Sequence, residues 1–296
     1  MTNERQQTYT SFFDKWHQNK KLAFSETLKE GSDIFNWILT RNGFSSAAEF
    51  SDFLGKKKRI LDAGCGNGRV TALLRKYSSI DAKIVGIDLT AAEVARENLS
   101  GLDGITVLAK DLLGDLDDLG KFDFIYCQEV LHHTENPKAA FLNLTKNLAA
   151  DGEIAIYVYK VKAPIREFAD DFIRERIFSL DYQQAIDSMK EITELGRILS
   201  DIPLKVTVPD IKVLDIPAGE YEVQRLIYHF FLKCFWNPQL SYDENVAINY
   251  DWYHPQLCTR HTLDEVLSWY ADAGLQVVQS CVDYYGVTVR GAKRSR

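Results

Sequence analysis

Three carboxylates each follow an apolar, strand-like run in the first half of the sequence. Asp62, Asp88 and Asp111 lie at or just beyond the ends of these runs. Carboxylate oxygens accept hydrogen bonds from ribose hydroxyls and from amines, and they pair with cations. Because the carboxyl ends of parallel strands meet at one edge of a sheet, the three residues predict a binding edge.

Three glycines alternate directly after the first of these acids. Gly64, Gly66 and Gly68 lack a Cβ, so the backbone can approach a ligand closely, and the helix that follows presents unpaired N–H groups. The spacing differs from the G-x-G-x-x-G pattern of dinucleotide sites, and an acid so close to the turn suits a cation or an amine better than a pyrophosphate. With the two later acids, the turn predicts a nucleoside ligand that carries a positively charged tail.

Two adjacent histidines, His132 and His133, follow the fourth predicted strand. The pKa of histidine lies near neutral pH, so an imidazole at this place is suited to take a proton from an acceptor group. His133 is the preferred base and His132 the second choice. Structural hydrogen bonding at a helix start is the alternative for both residues.

The composition narrows the classes of partner and compartment. The formal net charge is -7, which argues against nucleic acid because its backbone is bound by clustered Lys and Arg. The five cysteines are far apart and form no pattern typical of a metal site or a disulfide framework. The polar start and the lack of a long apolar run predict a cytoplasmic protein with no membrane segment, and the basic residues 293–296 are predicted as a solvated tail.

Strand-like and helix-like runs alternate over residues 58–159, which predicts a doubly wound, mostly parallel sheet with helices on both faces. Further along, residues 262–274 are typical of a capped helix. The β-rich runs at residues 276–282 and 285–290 predict a closing antiparallel pair. Together these elements predict a seven-stranded sheet of the α/β class.

The same patterns predict three parts of the chain. Residues 1–57 form a helical cap, residues 58–159 and 262–296 form the α/β core, and residues 160–261 form a large helical insertion. The insertion is far longer than a direct connection in an α/β fold. Its dense aromatic residues predict either a lid that contacts substrate or an interface, and the second alternative would make the protein a homodimer. Its predicted helices cover residues 164–178, 185–199 and 223–236.

The sequence predicts the roles of charged and polar side chains in the insertion less specifically. Pairing on a solvated helix face accounts for the charged residues of one predicted helix, which are Arg166, Arg174, Arg176, Glu167, Asp170, Asp171 and Glu175. His254 lies in an aromatic stretch, where a polar surface position and a substrate contact are both open.

The motifs together resemble those of class I S-adenosylmethionine-dependent methyltransferases. The segment Asp62-Ala-Gly-Cys-Gly-Asn-Gly68 looks like the first motif of that family. Later motifs have counterparts, in order and at the usual spacing, at residues 86–89, 110–112 and 122–133. The last of these is close to the subgroup that includes ubiquinone and menaquinone methyltransferases. The resemblance covers residues 58–160 and 261–290 and leaves the insertion unmatched.

The resemblance implies a Rossmann-like fold, S-adenosylmethionine as cofactor, and methyl transfer to an oxygen or nitrogen of a small molecule such as a sugar or a natural-product intermediate. It implies that Asp62 and the glycine turn hold the methionine end of the cofactor and that Asp88 takes the ribose hydroxyls. The other implied contacts are Leu89 beside the adenine, Asp111 and Leu112 at its edge and face, and Gln128 near the methionine moiety. A non-catalytic S-adenosylmethionine-binding protein is the alternative, and a nicotinamide-dependent oxidoreductase is less favoured.

Overall fold

The computed structural model describes residues 2–293, and residues 294–296 of the predicted solvated tail lie outside the described residues. The strands of the described part are β1 Arg59–Ala63, β2 Lys83–Asp88, β3 Ile105–Ala109, β4 Phe122–Gln128, β5 Leu148–Tyr159, β6 Lys205–Val208, β7 Gly219–Glu222, β8 Gln276–Val282 and β9 Gly286–Ala292. Its helices are α1 Asn3–Gln18, α2 Phe24–Leu28, α3 Asp33–Arg41, α4 Ala47–Leu54, α5 Arg69–Tyr77, α6 Ala92–Leu99, α7 Pro137–Thr145, α8 Pro164–Ile177, α9 Tyr182–Ser200, α10 Val223–Phe230, α11 Tyr242–Tyr253 and α12 Leu263–Asp272. Over residues 2–293, no helix combines the length and the apolar character that crossing a membrane requires.

Seven of the strands form one sheet in the spatial order β3-β2-β1-β4-β5-β9-β8. Neighbouring strands from β3 to β5 are parallel, whereas β9 is antiparallel to both β5 and β8. The predicted α/β sheet and its closing antiparallel pair are confirmed. The strand order reverses between β1 and β4, so the carboxyl ends of these strands flank the switch point where such sheets bind ligands.

Successive side chains of each strand point to opposite sides of the sheet, and helices cover both sides. Side chains on both faces are therefore buried. Leu61 and Ile125 belong to a hydrophobic cluster with α7 and α12, and Ile60 and Phe124 belong to another with α3, α4 and α5. All four side chains are at most 1% exposed. This two-sided burial explains why the strands appear in the sequence as nearly continuous apolar runs.

The chain divides into two compact units. One, here called the insertion unit, contains residues 2–15 and 161–256; the other, called the core unit, contains residues 16–160 and 257–293. The insertion unit has a small apolar core around Ile216, Tyr221 and Phe230. The division into cap, core and insertion stays a prediction, although the first helix begins in the insertion unit and ends in the core unit.

Secondary structure within the insertion differs from the prediction in three places. The third predicted helix ends at Phe230, and an irregular stretch leads from there to Pro238. The short hairpin of β6 and β7 is absent from the prediction, since its strands have four residues each and no fully buried face. Helix α11 is also absent from it, although Ser241 and Glu244 form a capping box that is visible in the sequence.

The prediction of a solvated face on α8 holds for Glu175 and Arg176, which are exposed, but it is wrong for three other charged residues, Arg166, Asp170 and Arg174, which are buried. Arg166 and Asp170 are buried, with 2.8 Å between Nε and Oδ1. Asp170 also accepts a hydrogen bond from the indole N–H of Trp252 at 2.9 Å, and Arg174 donates to the Trp252 carbonyl. Phe168 of the same helix is exposed. The sequence pattern thus predicted that the charged residues pair, but not which face of the helix is buried.

The surface position predicted for His254 is also wrong. The side chain is buried at the end of α11, beside the fully buried Tyr250 and Tyr253. Its Nδ1 lies 3.0 Å from Ser11 Oγ, and its Nε2 lies 3.1 Å from the Leu180 carbonyl oxygen. Burial lowers the pKa of His254, so this residue is a neutral packing group within the insertion unit.

We expect Asp170→Ala to destabilise the insertion unit, because the variant leaves the Arg166 guanidinium buried without its carboxylate. Removing one partner of a buried ion pair costs about 3–5 kcal/mol. Urea unfolding, followed by tryptophan fluorescence, measures the change. Asp187→Ala is the control, because Asp187 pairs with Lys190 on the exposed side of α9, and its midpoint should match the wild type. Equal midpoints for both variants would contradict a structural role for the buried pair.

Candidate functional site

The glycine turn connects β1 to α5 and is fastened to the end of β2. Gly64, Gly66 and Gly68 have φ angles of 80°, 52° and 86°, in the left-handed region that favours glycine. The N–H groups of Gly64 and Cys65 both donate to the Ile87 carbonyl, at 2.7 and 3.0 Å. The turn is therefore fastened to β2 by main-chain hydrogen bonds.

Protein side chains border the turn where glycine leaves room. A Cβ on Gly64 would lie 2.3 Å from Val130 Cγ2, and a Cβ on Gly66 would lie 2.7 Å from Trp16 Cζ2. These glycines are thus required by packing as well as by backbone conformation. Val130 belongs to the motif at residues 122–133, whereas Trp16 lies outside the motifs recognised in the sequence.

Asp62 lies at the end of β1 beneath the turn and is fully buried by its neighbours. Its Oδ2 accepts a hydrogen bond from Thr71 Oγ1 at 2.6 Å. Burial raises the pKa of Asp62 to about 7, and the nearby negative charge of Asp88 adds to the effect, whereas the Thr71 hydrogen bond opposes it. A carboxyl group near its midpoint ionises readily when a cation binds beside it, so the site suits the amine of an amino acid.

Asp88 ends β2 and joins the glycine turn to the segment before α6. Its Oδ1 accepts hydrogen bonds from the N–H groups of Thr90 and Ala91, both at 2.8 Å, and its Oδ2 accepts from Gly66 N–H at 2.8 Å. A carboxylate has about four acceptor positions, so Oδ2 retains capacity for a hydroxyl. Asp88 thus anchors the adjoining loops by these hydrogen bonds, and its contact with a ribose stays a prediction.

The residues implied for the adenine differ in their exposure. Leu89 is 39% exposed, whereas Leu112 is 6% exposed and belongs to the hydrophobic core. Asp111 is half-buried, and its Oδ1 accepts the N–H of Leu113 at 3.0 Å. Leu89 and Asp111 are thus more accessible to a planar ligand than Leu112, and all three contacts stay predictions.

The end of β4 adds polar residues next to Asp62. Tyr126 pairs in register with Asp62, and its hydroxyl donates to Gln128 Oε1. Glu129 follows with a φ of 61°, a strained conformation for a residue other than glycine, and its carboxylate lies 3.6 Å from Arg69 Nη2. Backbone strain at a strand end often marks a functional position.

The two histidines form a 3₁₀ turn after β4, and their surroundings differ. His132 is fully buried, its ring stacks on Tyr159 with 3.7 Å between centroids, and its carbonyl accepts the N–H of Thr259 at 2.9 Å. His133 is half-buried, and its Nδ1 lies 2.7 Å from the Leu257 carbonyl oxygen. A carbonyl only accepts, so Nδ1 carries the proton and the neutral ring has its lone pair on Nε2.

The sheet register brings the predicted carboxylates to one edge. Asp62, Asp88 and Asp111 end or follow β1, β2 and β3, which are consecutive strands of the sheet and lie roughly 4.8 Å apart. Gln128 ends β4 on the other side of the switch point. An acid for an amine, an acid for hydroxyls and an acid for an exocyclic amine therefore follow one another along this edge, an order that fits a nucleoside joined to an amino acid.

Several residues of this edge lack a signal in the sequence. Thr71 and Tyr126 contact Asp62 and Gln128 through their hydroxyls, and Leu257 orients His133 through its carbonyl. Thr71 follows the last glycine by one helical turn, which is a weak signal. Leu257 is recognisable only after the chain has folded, because a main-chain carbonyl has no signature in a sequence.

Comparison with known proteins indicates a methyltransferase domain. Residues 54–197 match the model of a methyltransferase domain family. An uncharacterized protein of Synechococcus sp. is 36% identical over 121 residues, which are 38% of this chain and 29% of that protein. A ubiquinone biosynthesis O-methyltransferase of Glaesserella parasuis is 32% identical over 107 residues, which are 33% of this chain and 44% of that protein. The chain thus covers less than half the length of either relative.

Among solved structures, PKMT2 from Rickettsia typhi has the same fold. It superimposes with a TM-score of 0.52 at 16% identity, over 81% of this chain and 51% of that chain. The fold and the matched segment define a methyltransferase domain with a seven-stranded Rossmann-like sheet. The matched part of the chain, residues 54–197, is therefore a domain of the class I S-adenosylmethionine-dependent methyltransferase type.

We expect the stability of the ligand-free protein to fall with rising pH because of Asp62. The unfolded chain releases this proton near pH 3.8, whereas the native state releases it near pH 7. Between these values the native state binds more protons, so the free energy of unfolding decreases by up to about 1.4 kcal/mol per pH unit and then levels off. Urea unfolding of the wild type and of Asp62→Asn, over a series of pH values, isolates this contribution. A difference between the two proteins that does not change with pH would contradict the raised pKa.

Proposed function

We propose that this protein transfers a methyl group from S-adenosylmethionine to an oxygen or nitrogen atom of a small molecule. The observation that carries the proposal is one sheet edge that combines the glycine turn, the three carboxylates and a histidine of defined tautomer. The non-catalytic alternative and the nicotinamide-dependent alternative are not favoured, because the matched family is one of methyltransferase domains.

The cofactor fits the residues of the edge. Asp62 pairs with its amine, Asp88 Oδ2 accepts from a ribose hydroxyl, and Asp111 accepts from the exocyclic amine of adenine. Leu89 covers the adenine, and Gln128 lies near the methionine moiety. When bound, S-adenosylmethionine supplies an electrophilic methyl group on a sulfonium, and the Asp62 and Asp88 carboxylates favour that positive charge electrostatically.

His133 is the base in the proposed reaction. The Nδ1–H bond to the Leu257 carbonyl orients the ring and leaves the Nε2 lone pair to receive the proton of the acceptor O–H or N–H group. The acceptor lone pair would form the new bond to the methyl carbon while the methyl–sulfur bond breaks and its electron pair stays on sulfur, which leaves S-adenosylhomocysteine. The proton would remain on an imidazolium whose Nδ1 still donates to the Leu257 carbonyl. His132 supports this arrangement through its stacking on Tyr159.

The insertion is proposed to select the acceptor. It leaves the sheet directly after Tyr159, and the chain returns where the N–H of His261 donates to the Tyr159 carbonyl at 2.8 Å. Both ends of residues 160–261 are thus joined to the carboxyl end of β5, where acceptors are expected in this fold. The ubiquinone biosynthesis O-methyltransferase of Glaesserella parasuis methylates oxygen by its name, which supports an oxygen acceptor. The homodimer, the absence of nucleic acid and membrane partners and the cytoplasmic location remain expectations.

We expect S-adenosylhomocysteine, the demethylated product, to bind to the wild-type protein and to bind at least roughly tenfold more weakly to Asp88→Ala, because a charge-assisted hydrogen bond contributes on the order of 1.5–3 kcal/mol. Isothermal titration calorimetry measures both affinities. Asp187→Ala, on the exposed side of α9, is the control and should bind like the wild type. A wild-type protein that binds no adenosyl ligand would refute the proposed function.

Replacing His133 by Asn should separate a base from a structural residue. The Asn side-chain N–H can still donate to the Leu257 carbonyl, but the residue has no basic nitrogen at the position of Nε2. We expect methyl transfer from tritiated S-adenosylmethionine to a panel of phenols, sugars and hydroxy acids to fall by roughly 10²–10⁴-fold, with S-adenosylhomocysteine affinity unchanged. Transfer at the wild-type rate by this variant would assign His133 a structural role.

A further inference from the structure

An aromatic residue from the last turn of α1 lies on the middle glycine of the turn. A Cβ on Gly66 would lie 2.7 Å from Cζ2 and 2.9 Å from Cε2 of Trp16, so the indole contacts the Gly66 backbone directly. The ring is only half-buried. A turn of glycines leaves the Cβ side open to a ligand, and in this chain the indole limits that space.

The chain that follows Trp16 is fastened to the same turn. The side-chain amide of Asn67, itself fully buried, donates to the carbonyls of Lys20 and Leu22 at 3.2 and 3.1 Å. Asn98 of α6 donates to the Lys20 carbonyl at 2.7 Å and to the Asn67 carbonyl at 2.9 Å. The chain a few residues after Trp16 is thus attached to the turn by hydrogen bonds.

Gly66, which Trp16 contacts, also lies between the residues that are predicted to bind the cofactor. The N–H of Gly66 donates to Asp88 Oδ2, the oxygen that retains capacity for a ribose hydroxyl. Trp16 therefore lies on the glycine between Asp62, assigned to the amine, and Asp88, assigned to the ribose. A planar indole offers a large contact area and loses little conformational entropy when it packs on a ligand.

We propose that Trp16 is the outer wall of the S-adenosylmethionine site and that it retains the cofactor there, with Asn67 as the residue that positions it. The ring packs against the ligand at the Gly66 turn and must move for ligand to exchange. The inference rests on the proposed function and adds to it a residue that controls cofactor residence.

The test measures binding and release of S-adenosylhomocysteine by calorimetry and stopped-flow fluorescence. We expect Trp16→Ala to bind roughly tenfold more weakly and to release the ligand roughly tenfold faster, an effect typical of a truncated aromatic contact, and Trp16→Phe to be intermediate. Phe13→Ala is the matched control, because Phe13 is an aromatic residue of the same helix that is 39% exposed, and it should behave like the wild type. Circular dichroism shows whether each variant is folded. If Trp16→Ala does not fold, the comparison of Trp16→Phe with the wild type is the test.

The role of Asn67 has its own measurement. Asn67→Ala should accelerate ligand release and shift the tryptophan emission of the free protein to longer wavelength, because the indole becomes more solvated. The shift should be absent when Trp16 is also replaced by Phe. The double variant with Trp16→Ala should release ligand no faster than Trp16→Ala alone, since both changes then remove the same contact. Additive effects on release would overturn the positioning role.

The outcomes distinguish this inference from the proposed function. If the wild type does not bind S-adenosylhomocysteine, the proposed function itself fails. If the wild type binds and the Trp16 variants bind and release at the wild-type rate, only the role of Trp16 is overturned. Tighter binding by Trp16→Ala would also overturn it, because the indole would then occupy the space of the ligand rather than retain it.

Discussion

The hydrogen bonds between the glycine turn and the end of β2 are the constraint on which the rest of the site depends. Two N–H groups of the turn share the Ile87 carbonyl, and the next one bonds to the carboxylate of Asp88. These bonds join β1, β2 and the start of α5 into one rigid corner. These hydrogen bonds reduce the conformational freedom of the corner, which lowers the entropy that binding of a ligand would cost.

Electrostatics at this corner arise from burial. Asp62 is enclosed beneath the turn with Thr71 as a neutral partner, so its proton is held more tightly than in water. In the insertion unit the buried charges are paired instead, because Arg166 and Asp170 are both buried and form an ion pair. A buried acid without a cationic partner is suited to bind a cation, whereas a buried ion pair is suited to hold helices together.

The orientation of the candidate base depends on residues distant in sequence. His133 donates to the carbonyl of Leu257, which lies 124 residues further along the chain. The same returning segment bonds to the His132 carbonyl through Thr259 and to the Tyr159 carbonyl through His261. The segment that follows the insertion is therefore joined by hydrogen bonds to the end of β5 and to the two histidines after β4.

The sequence by itself determined the sheet, its order of motifs, the glycine turn and the places of Asp62, Asp88 and His133, because turns, strand ends and periodic burial are local patterns. It did not reveal that α8 turns Arg166 inward, that Leu112 is mainly a core residue, or that His254 is buried, since burial depends on which surfaces meet in the folded chain. Trp16 on Gly66, and Leu257 at His133, are contacts between distant segments. Only the tertiary structure decided them, because a contact across such separations is specified by packing and by main-chain geometry rather than by neighbouring residues.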